Sequence, residues 1–183
     1  MPRGDDSGSL GAFLPVYDVI EFHEIIVPCS PSAAYQAMEQ VRLSDSRIIS
    51  ALTRMRGLGA PRGTLLDGLR ARFSVLKEEP GHELVLGIVG QFWRLRGNVC
   101  EIDAAAFVEF HQIGFAKSAW NIMFEEVEGH GTRISTETRV QCLDAASRMK
   151  FRVYWTFVAP FSGLIRKEML RLIERRVTKE RFS

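Results

Sequence analysis

Histidines are the first side chains to consider for chemistry in this sequence, which contains four of them: His23, His82, His111 and His130. No HExxH or other paired metal-ligand spacing connects them, so we expect no metal site. His111 stands in the segment Phe107–Gln112, which we predict to be a strand. There it would act either as an acid or base facing a cavity or as a rim histidine with satisfied hydrogen bonds.

Motifs for nucleophilic catalysis and for nucleotide binding are missing from the sequence. It has no G-x-S-x-G nucleophile elbow, no glycine-rich phosphate loop and no dinucleotide fingerprint. Gly87–Gly90 looks like part of a fingerprint, but the strand, loop and helix context is absent. We therefore expect no cofactor and identify no catalytic residues.

Glu137 and Arg139 form the most suggestive charged pair, because a carboxylate two residues from a guanidinium on one strand face could orient a polar ligand. The same face carries further polar side chains, namely Arg133, Ser135 and Gln141. We therefore predict a solvated outer face on which Glu137 and Arg139 make cross-strand ion pairs, each worth about 0.2–1 kcal/mol.

Small hydroxyl groups and large aromatic rings supply the candidates for a binding site. Thr136 and Thr138 alternate with the charged pair and face the opposite way, where they suit either a cavity wall or a plain core. Trp120 and Phe124 face inward by the same alternation. The candidate ligand-binding residues are Trp93, His111, Trp120, Phe124, Thr136, Thr138, Tyr154 and Trp155.

Composition indicates an ordinary globular domain. The chain has 183 residues, of which 46% are hydrophobic and 25% charged, which is enough to bury one sizeable core. We expect a flexible tail over residues 1–15 and a single domain over residues 16–183. A net charge of +2 gives no field that favours nucleic acid. Three cysteines without metal spacing and the absence of a signal-like or membrane-spanning run predict a soluble, cytoplasmic protein with free thiols.

The order of elements predicts an α+β fold. A strand over Asp18–Val27 precedes two short helices, one starting after Ser30-Pro31 and one capped by Ser44 or Asp45 and ending near Gly57. The predicted meander of antiparallel strands then comprises Leu69–Glu78, His82–Val89, Gln91–Arg96, Phe107–Gln112, Ala116–Val127 and Thr132–Cys142.

The C-terminal region has a helical pattern that begins after Asp144, a candidate N-cap. Pro160 lacks an amide donor and clashes with the carbonyl four residues earlier, so we predict two helical pieces, the second beginning at Ser162. The second piece carries a basic face between Arg166 and Arg181. That face is either simply solvated or makes a transient contact with an anionic membrane.

This order of elements, together with GIVGQFW at Gly87–Trp93, TETRV at Thr136–Val140 and PFSGLIR at Pro160–Arg166, resembles the START-like superfamily. That superfamily includes the pollen allergen Bet v 1 and the bacterial polyketide cyclase/dehydrase proteins. The nearest branch is a set of uncharacterised bacterial proteins, and the resemblance covers Asp18 to Lys179. It implies a helix-grip fold, in which a curved antiparallel sheet wraps around a long C-terminal helix and leaves an elongated cavity.

The resemblance implies a binding protein for a mainly apolar small molecule such as a lipid, a sterol or a polyketide, acting as carrier or sensor. One alternative is a small cyclase or dehydratase in which His111 or Tyr154 moves protons. The other is a protein-interaction module that uses the sheet or the basic helix.

Overall fold

The computed structural model describes residues 8–48, 50, 51, 63–94 and 98–181 of the chain. Its strands are β1 (Val19–Val27), β2 (Ser74–Glu79), β3 (Glu83–Gly90), β4 (Ala116–Val127) and β5 (Gly131–Cys142). They form one antiparallel sheet in the order β1-β5-β4-β3-β2. The long β4–β5 hairpin therefore lies inside the sheet, with β1 and β2 as the edges.

The helices surround this sheet. Those with bounds inside the described residues are α1 (Leu10–Phe13), α2 (Pro31–Gln40), α3 (Leu65–Arg70), α4 (Ala104–Glu109) and α5 (Ala145–Arg181). Helix α5 crosses one face of the curved sheet and contacts β1, β5 and α2. The α+β helix-grip architecture predicted from the sequence is confirmed.

Short-range hydrogen bonds explain where the helices begin. Ser30 precedes Pro31 and its hydroxyl accepts a hydrogen bond from the amide of Ala33, as expected for the N-cap of α2. Asp103 caps α4 in the same way. The carboxylate of Asp144 accepts from the Ser147 amide at 2.9 Å, which confirms Asp144 as the cap of α5.

Helix α5 corrects the prediction of two helical pieces, because it runs through Pro160 as one helix of 37 residues. Proline costs about 3 kcal/mol or more in a helix interior. Both halves of α5 have apolar partners that offset this cost. Phe151 packs with Val140 and Cys142 of β5, whereas Ile173 belongs to the central core with α2.

The inner face of the sheet, which we define as the face that packs against α2 and α5, carries the larger core. Trp120, Ile122 and Phe124 of β4 lie on it and are at most 2% exposed, as their alternation predicted. Gly131 closes the β4–β5 hairpin with φ of 94°, and a Cβ there would collide with the Val27 carbonyl oxygen. The hairpin register therefore fixes which side chains of β4 and β5 face α5.

The outer face is also covered, which corrects the prediction of a solvated face. Glu137 and Arg139 are only 8% and 7% exposed. The Arg139 Nε donates to Glu137 Oε1 at 2.6 Å, and Nη1 donates to the Leu14 carbonyl at 3.2 Å. The guanidinium also lies 4.8 Å from the Tyr17 ring centroid. The segment before β1 thus covers the ion pair that sequence alternation assigned to solvent.

We expected residues 1–15 to form a flexible tail, but the described part of this segment packs on the sheet. Leu10 and Leu14 are at most 1% exposed and pack with Val85, Phe107 and Ala119 on the outer face. The backbone amide of Ser9 donates to both carboxylate oxygens of the buried Glu83. Residues 8–14 are therefore an ordered part of the domain.

Three predicted strands are wrong in part or in whole. Leu69 lies in α3, which a capping box between Thr64 and Asp67 starts, and β2 begins only at Ser74. Residues 92–94 form a turn instead of the predicted strand Gln91–Arg96, whose last two residues lie outside the described residues. The predicted strand Phe107–Gln112 overlaps α4 and the loop after it. Within the predicted helix from Ser44 or Asp45 to Gly57, residues 47, 48, 50 and 51 are helical, and residues 49 and 52–57 lie outside the described residues.

No helix in the described residues is both long and apolar enough to cross a membrane. No three side chains among their His, Cys, Asp and Glu residues come together closely enough to hold a metal ion.

Candidate functional site

A polar cluster lies on the inner face of β1 and β5, beneath the middle of α5. The antiparallel register places Glu21 opposite Thr138 and His23 opposite Thr136. Helix α5 passes over them near Ser162, whose hydroxyl donates to Glu21 Oε2 at 2.9 Å. Glu21 and His23 therefore place ionisable side chains on the inner face of the sheet, which otherwise carries the main hydrophobic core.

Glu21 holds this cluster together through both carboxylate oxygens. Its Oε1 lies 3.1 Å from His23 Nε2, and both side chains are about one-sixth exposed, at 16% and 17%. Gly163 allows the helix to approach, because a Cβ at that position would lie 2.8 Å from Glu21 Oε1. The small residue next to Ser162 thus fixes the distance between α5 and the carboxylate.

Arg166 supplies the positive charge of the cluster. Its guanidinium carbon lies 3.5 Å from the centroid of the Trp120 ring, a close cation–π contact. Burial lowers the pKa of Arg166, and attraction to Glu21 raises it. The guanidinium keeps its charge at neutral pH. No carboxylate of the described residues lies within 4.0 Å of the guanidinium. Its N–H groups are therefore available to donate to a further acidic partner.

Two buried polar atoms on the inner face of the sheet have no hydrogen-bond partner among the described residues. They are Nε1 of Trp120 and Oγ1 of Thr136, and these residues are 2% and 1% exposed. A buried polar group without a partner costs about 1–3 kcal/mol, so native proteins leave few of them. Both atoms can donate, and the indole nitrogen can only donate. The arrangement suits a small molecule that presents hydrogen-bond acceptors.

An open cleft lies between the edge of the sheet and the first half of α5. Its volume is about 430 Å³. Val19, Cys142, Phe151 and Trp155 give it apolar walls, and the rest of its lining is polar: Asp18, Arg148, Arg152 and Thr156. Val19 precedes Glu21 on the inner face of β1, and Trp155 lies about two helical turns before Ser162. The two elements that line the cleft, β1 and α5, therefore also carry residues of the polar cluster.

The predicted site residues fall into separate groups. Trp120, Thr136 and Thr138 surround the polar cluster, whereas Phe124 packs edge-on against Tyr35 of α2 in the core, with ring centroids 5.5 Å apart. A second group forms an aromatic cluster around Phe151, which comprises Trp93, Tyr154 and Trp155. Trp155 stacks on Phe151 at 5.6 Å and lines the cleft.

His111 does not join either group. It is exposed in the loop after α4, and its neighbour Phe110 packs with the outer-face cluster. The proposed role for a strand histidine facing a cavity is therefore wrong for His111. Tyr154 remains partly buried in the aromatic cluster, 5.8 Å from Phe151.

Four residues of the polar cluster were missed as site residues: Glu21, His23, Ser162 and Arg166. A signal for two of them was present in β1, where Glu21 and His23 alternate in phase with Val19, Ile25 and Val27. Charged residues on the core-facing side of a strand are expected only where they have partners. No local pattern shows that α5 supplies those partners.

The fold and the cluster define the protein as a helix-grip α+β domain with a charged site between the sheet and its long helix. No protein-family model and no curated protein matches the chain.

Several solved structures are similar to it over most of its length. Protein TTHA0849 from Thermus thermophilus is 13% identical, with a TM-score of 0.33, covering 88% of this chain and 99% of that one. A protein of unknown function from Staphylococcus aureus, SA2116, is 13% identical with a TM-score of 0.33, covering 87% of this chain and 96% of that one. Ara h 8.0201 is 12% identical with a TM-score of 0.27, covering 88% and 98%.

Proposed function

We propose that the protein binds a small amphiphilic molecule between the inner face of the sheet and α5, and acts as its carrier or sensor. The observation that carries this proposal is the pair of buried donors, Trp120 Nε1 and Thr136 Oγ1, that have no hydrogen-bond partner within the described part of the chain. A ligand with an acceptor group would satisfy both.

The polar end of such a ligand is a carboxylate or another acidic group. Arg166 presents a planar set of donors that matches a carboxylate, and its ring contact with Trp120 holds it beside the buried indole nitrogen. Glu21 is engaged by Ser162 and His23, so its negative charge is already partly compensated. The cluster thus combines one charged donor with two neutral ones.

The apolar part of the ligand lies in the neighbouring cleft. Phe151 and Trp155 give it an aromatic wall, and a volume of about 430 Å³ falls within the usual range for small-molecule sites. Lipids, sterols and polyketides with an acidic end all have this division into apolar body and polar head. The cleft and the cluster are therefore complementary to one amphiphile.

Binding of a fluorescent fatty acid and of the matching fatty alcohol tests this proposal. We expect Arg166→Gln to weaken binding of the acid by about 10-fold or more and to affect the alcohol much less, since only the acid pairs with the guanidinium. Trp120→Phe keeps an aromatic ring at this position and removes the indole N–H, so it should weaken binding of both probes up to about 10-fold.

Thr132→Val is the matched control, because Thr132 lies on the same face of β5 but its hydroxyl already donates to the Cys29 carbonyl at 2.6 Å. It should leave both affinities unchanged. Equal affinity of the wild type for acid and alcohol, together with no effect of Trp120→Phe, would contradict the proposal. Native mass spectrometry of protein purified from its own host would identify the natural ligand class directly.

A further inference from the structure

Helix α5 exposes an apolar stripe along its first half. Large side chains recur at intervals of three or four residues on the side that faces away from the sheet: Met149, Val153, Phe157, Phe161 and Leu164. Met149 and Phe157 are 71% and 70% exposed. Single exposed apolar residues are common on protein surfaces. A continuous stripe with two phenylalanines instead indicates a binding surface for a partner.

The charge around the stripe has one sign. Between Ala145 and Lys167 the sequence contains no aspartate or glutamate. Lys150 and Lys167 are exposed on this part of α5, and Arg152 is exposed where it lines the cleft. Arg148 is paired with Asp18 at 2.6 Å, so its charge is already compensated. The partner must therefore offer an apolar layer and negative charge together.

We propose that this face of α5 docks on an anionic lipid bilayer, with Phe157 and Phe161 entering the acyl boundary and the lysine and arginine side chains meeting the headgroups. Amphipathic helices with this composition bind in the plane of such an interface. A second copy of the chain fits less well, because the same part of α5 in that copy contains no aspartate or glutamate to pair with Lys150 and Lys167.

The docking face and the ligand cleft belong to the same helical turns. Phe151 and Trp155 line the cleft on the side of α5 that faces the sheet, and Val153 and Phe157 lie on the docking side. Docking would keep the distance between the cleft and the bilayer surface to one helix diameter, about 10–12 Å. The docking proposal goes beyond the proposed function and does not depend on which ligand the cleft binds.

Co-sedimentation with vesicles tests docking, using phosphatidylcholine alone and phosphatidylcholine mixed with phosphatidylglycerol. We expect the wild type to bind the mixed vesicles, and added salt to weaken that binding. Phe157→Ala should weaken it by about 10-fold, since it removes an exposed apolar anchor. Lys150→Gln should weaken binding to the mixed vesicles by about fivefold and leave binding to neutral vesicles unchanged.

Phe22→Ala is the matched control for the phenylalanine. Phe22 is 43% exposed on β1, but it alternates with Glu21 and His23 and therefore faces the opposite side of the sheet from α5. It should leave vesicle binding unchanged. Circular dichroism and thermal melting should show that each variant is folded. We expect this because Phe157 and Lys150 are exposed and their replacement removes no core contact.

Three results would overturn the docking proposal. One is a wild type that does not bind the mixed vesicles at low salt. Another is an equal loss of vesicle binding in Phe157→Ala and Phe22→Ala. The third is a dimer, seen by light scattering, that Phe157→Ala dissociates while the wild type leaves vesicles unbound, because that result assigns the stripe to a second copy of the chain.

Discussion

Replacing Thr136 by valine should stabilise the ligand-free protein, which is an unusual outcome for a substitution in a core. The Thr136 hydroxyl is buried and has no hydrogen-bond partner among the described residues, and the side chain is 1% exposed. Valine has nearly the same shape and replaces the hydroxyl by a methyl group. The substitution therefore removes a polar group that folding strips of water without compensation.

The magnitude follows from the cost of an unsatisfied buried polar group, which is about 1–3 kcal/mol. We expect Thr136→Val to raise the free energy of unfolding by about that amount. For a chain of this size, each kcal/mol corresponds to a rise of about 2–4 °C in the melting temperature. The same substitution should weaken binding of an acceptor-bearing ligand, so stability and affinity change in opposite directions.

Thr132→Val provides the comparison within the same strand. Thr132 is fully buried on the inner face of β5, and its hydroxyl donates to the Cys29 carbonyl at 2.6 Å. Loss of that hydrogen bond should lower the free energy of unfolding by about 1 kcal/mol. Two chemically identical substitutions, four residues apart, are thus expected to have opposite effects on stability.

Urea denaturation measures both changes, with tryptophan fluorescence and circular dichroism as independent probes. The protein must first be refolded from denaturant, so that no small molecule carried through purification remains bound. A loss of stability in Thr136→Val equal to that in Thr132→Val would refute the reasoning. It would mean that the Thr136 hydroxyl has a structural partner within the fold, such as an internal water molecule.

Two further predictions concern the covering segment and the start of α5. Leu10→Ala should lower the free energy of unfolding by about 2–5 kcal/mol in urea denaturation, because Leu10 is fully buried on the outer face, while Val16→Ala, at a 65% exposed position, should change it by less than about 0.5 kcal/mol. If Leu10→Ala changed the free energy of unfolding by as little as Val16→Ala, burial of residues 8–14 would not stabilise the domain. Hydrogen bonds from the Ser147 hydroxyl, the Ser147 amide and the Gly114 amide lower the pKa of Asp144 from 3.8 to about 2. This carboxylate therefore stabilises the fold above about pH 4, and that stabilisation is lost as the pH falls toward 2. Asp144→Asn should flatten the decline of the melting temperature over this range, and an unchanged pH profile would contradict the assignment.

Local patterns predicted those elements whose formation depends on near neighbours in the chain. Ser30 and Asp144 begin helices because their side chains accept hydrogen bonds from amides three residues later. Alternation predicted which side chains of the β4–β5 hairpin face α5, and Trp120, Ile122 and Phe124 are buried there; the opposite face was predicted to be solvated but is covered. The order of these elements was enough to predict the helix-grip class, which the structure confirms.

The same local reasoning failed where two signals competed. The strand predicted over Phe107–Gln112 is wrong, because Asp103 followed by three alanines favours a capped helix, which is what forms. Pro160 was expected to divide the C-terminal helix. The local cost of proline is real, but packing of Phe151 on one side of it and Ile173 on the other keeps α5 continuous.

The sequence by itself determined the strand alternation, the helix caps and the order of elements, because each depends on interactions within a few residues. Only the tertiary structure decided that residues 8–14 bury Glu137 and Arg139, and that Ser162 and Arg166 of α5 meet Glu21 and Trp120. These contacts join segments more than 40 residues apart, with separations such as 141 for Ser162 and Glu21. Their selection depends on how the whole sheet curves around α5, which no local pattern encodes.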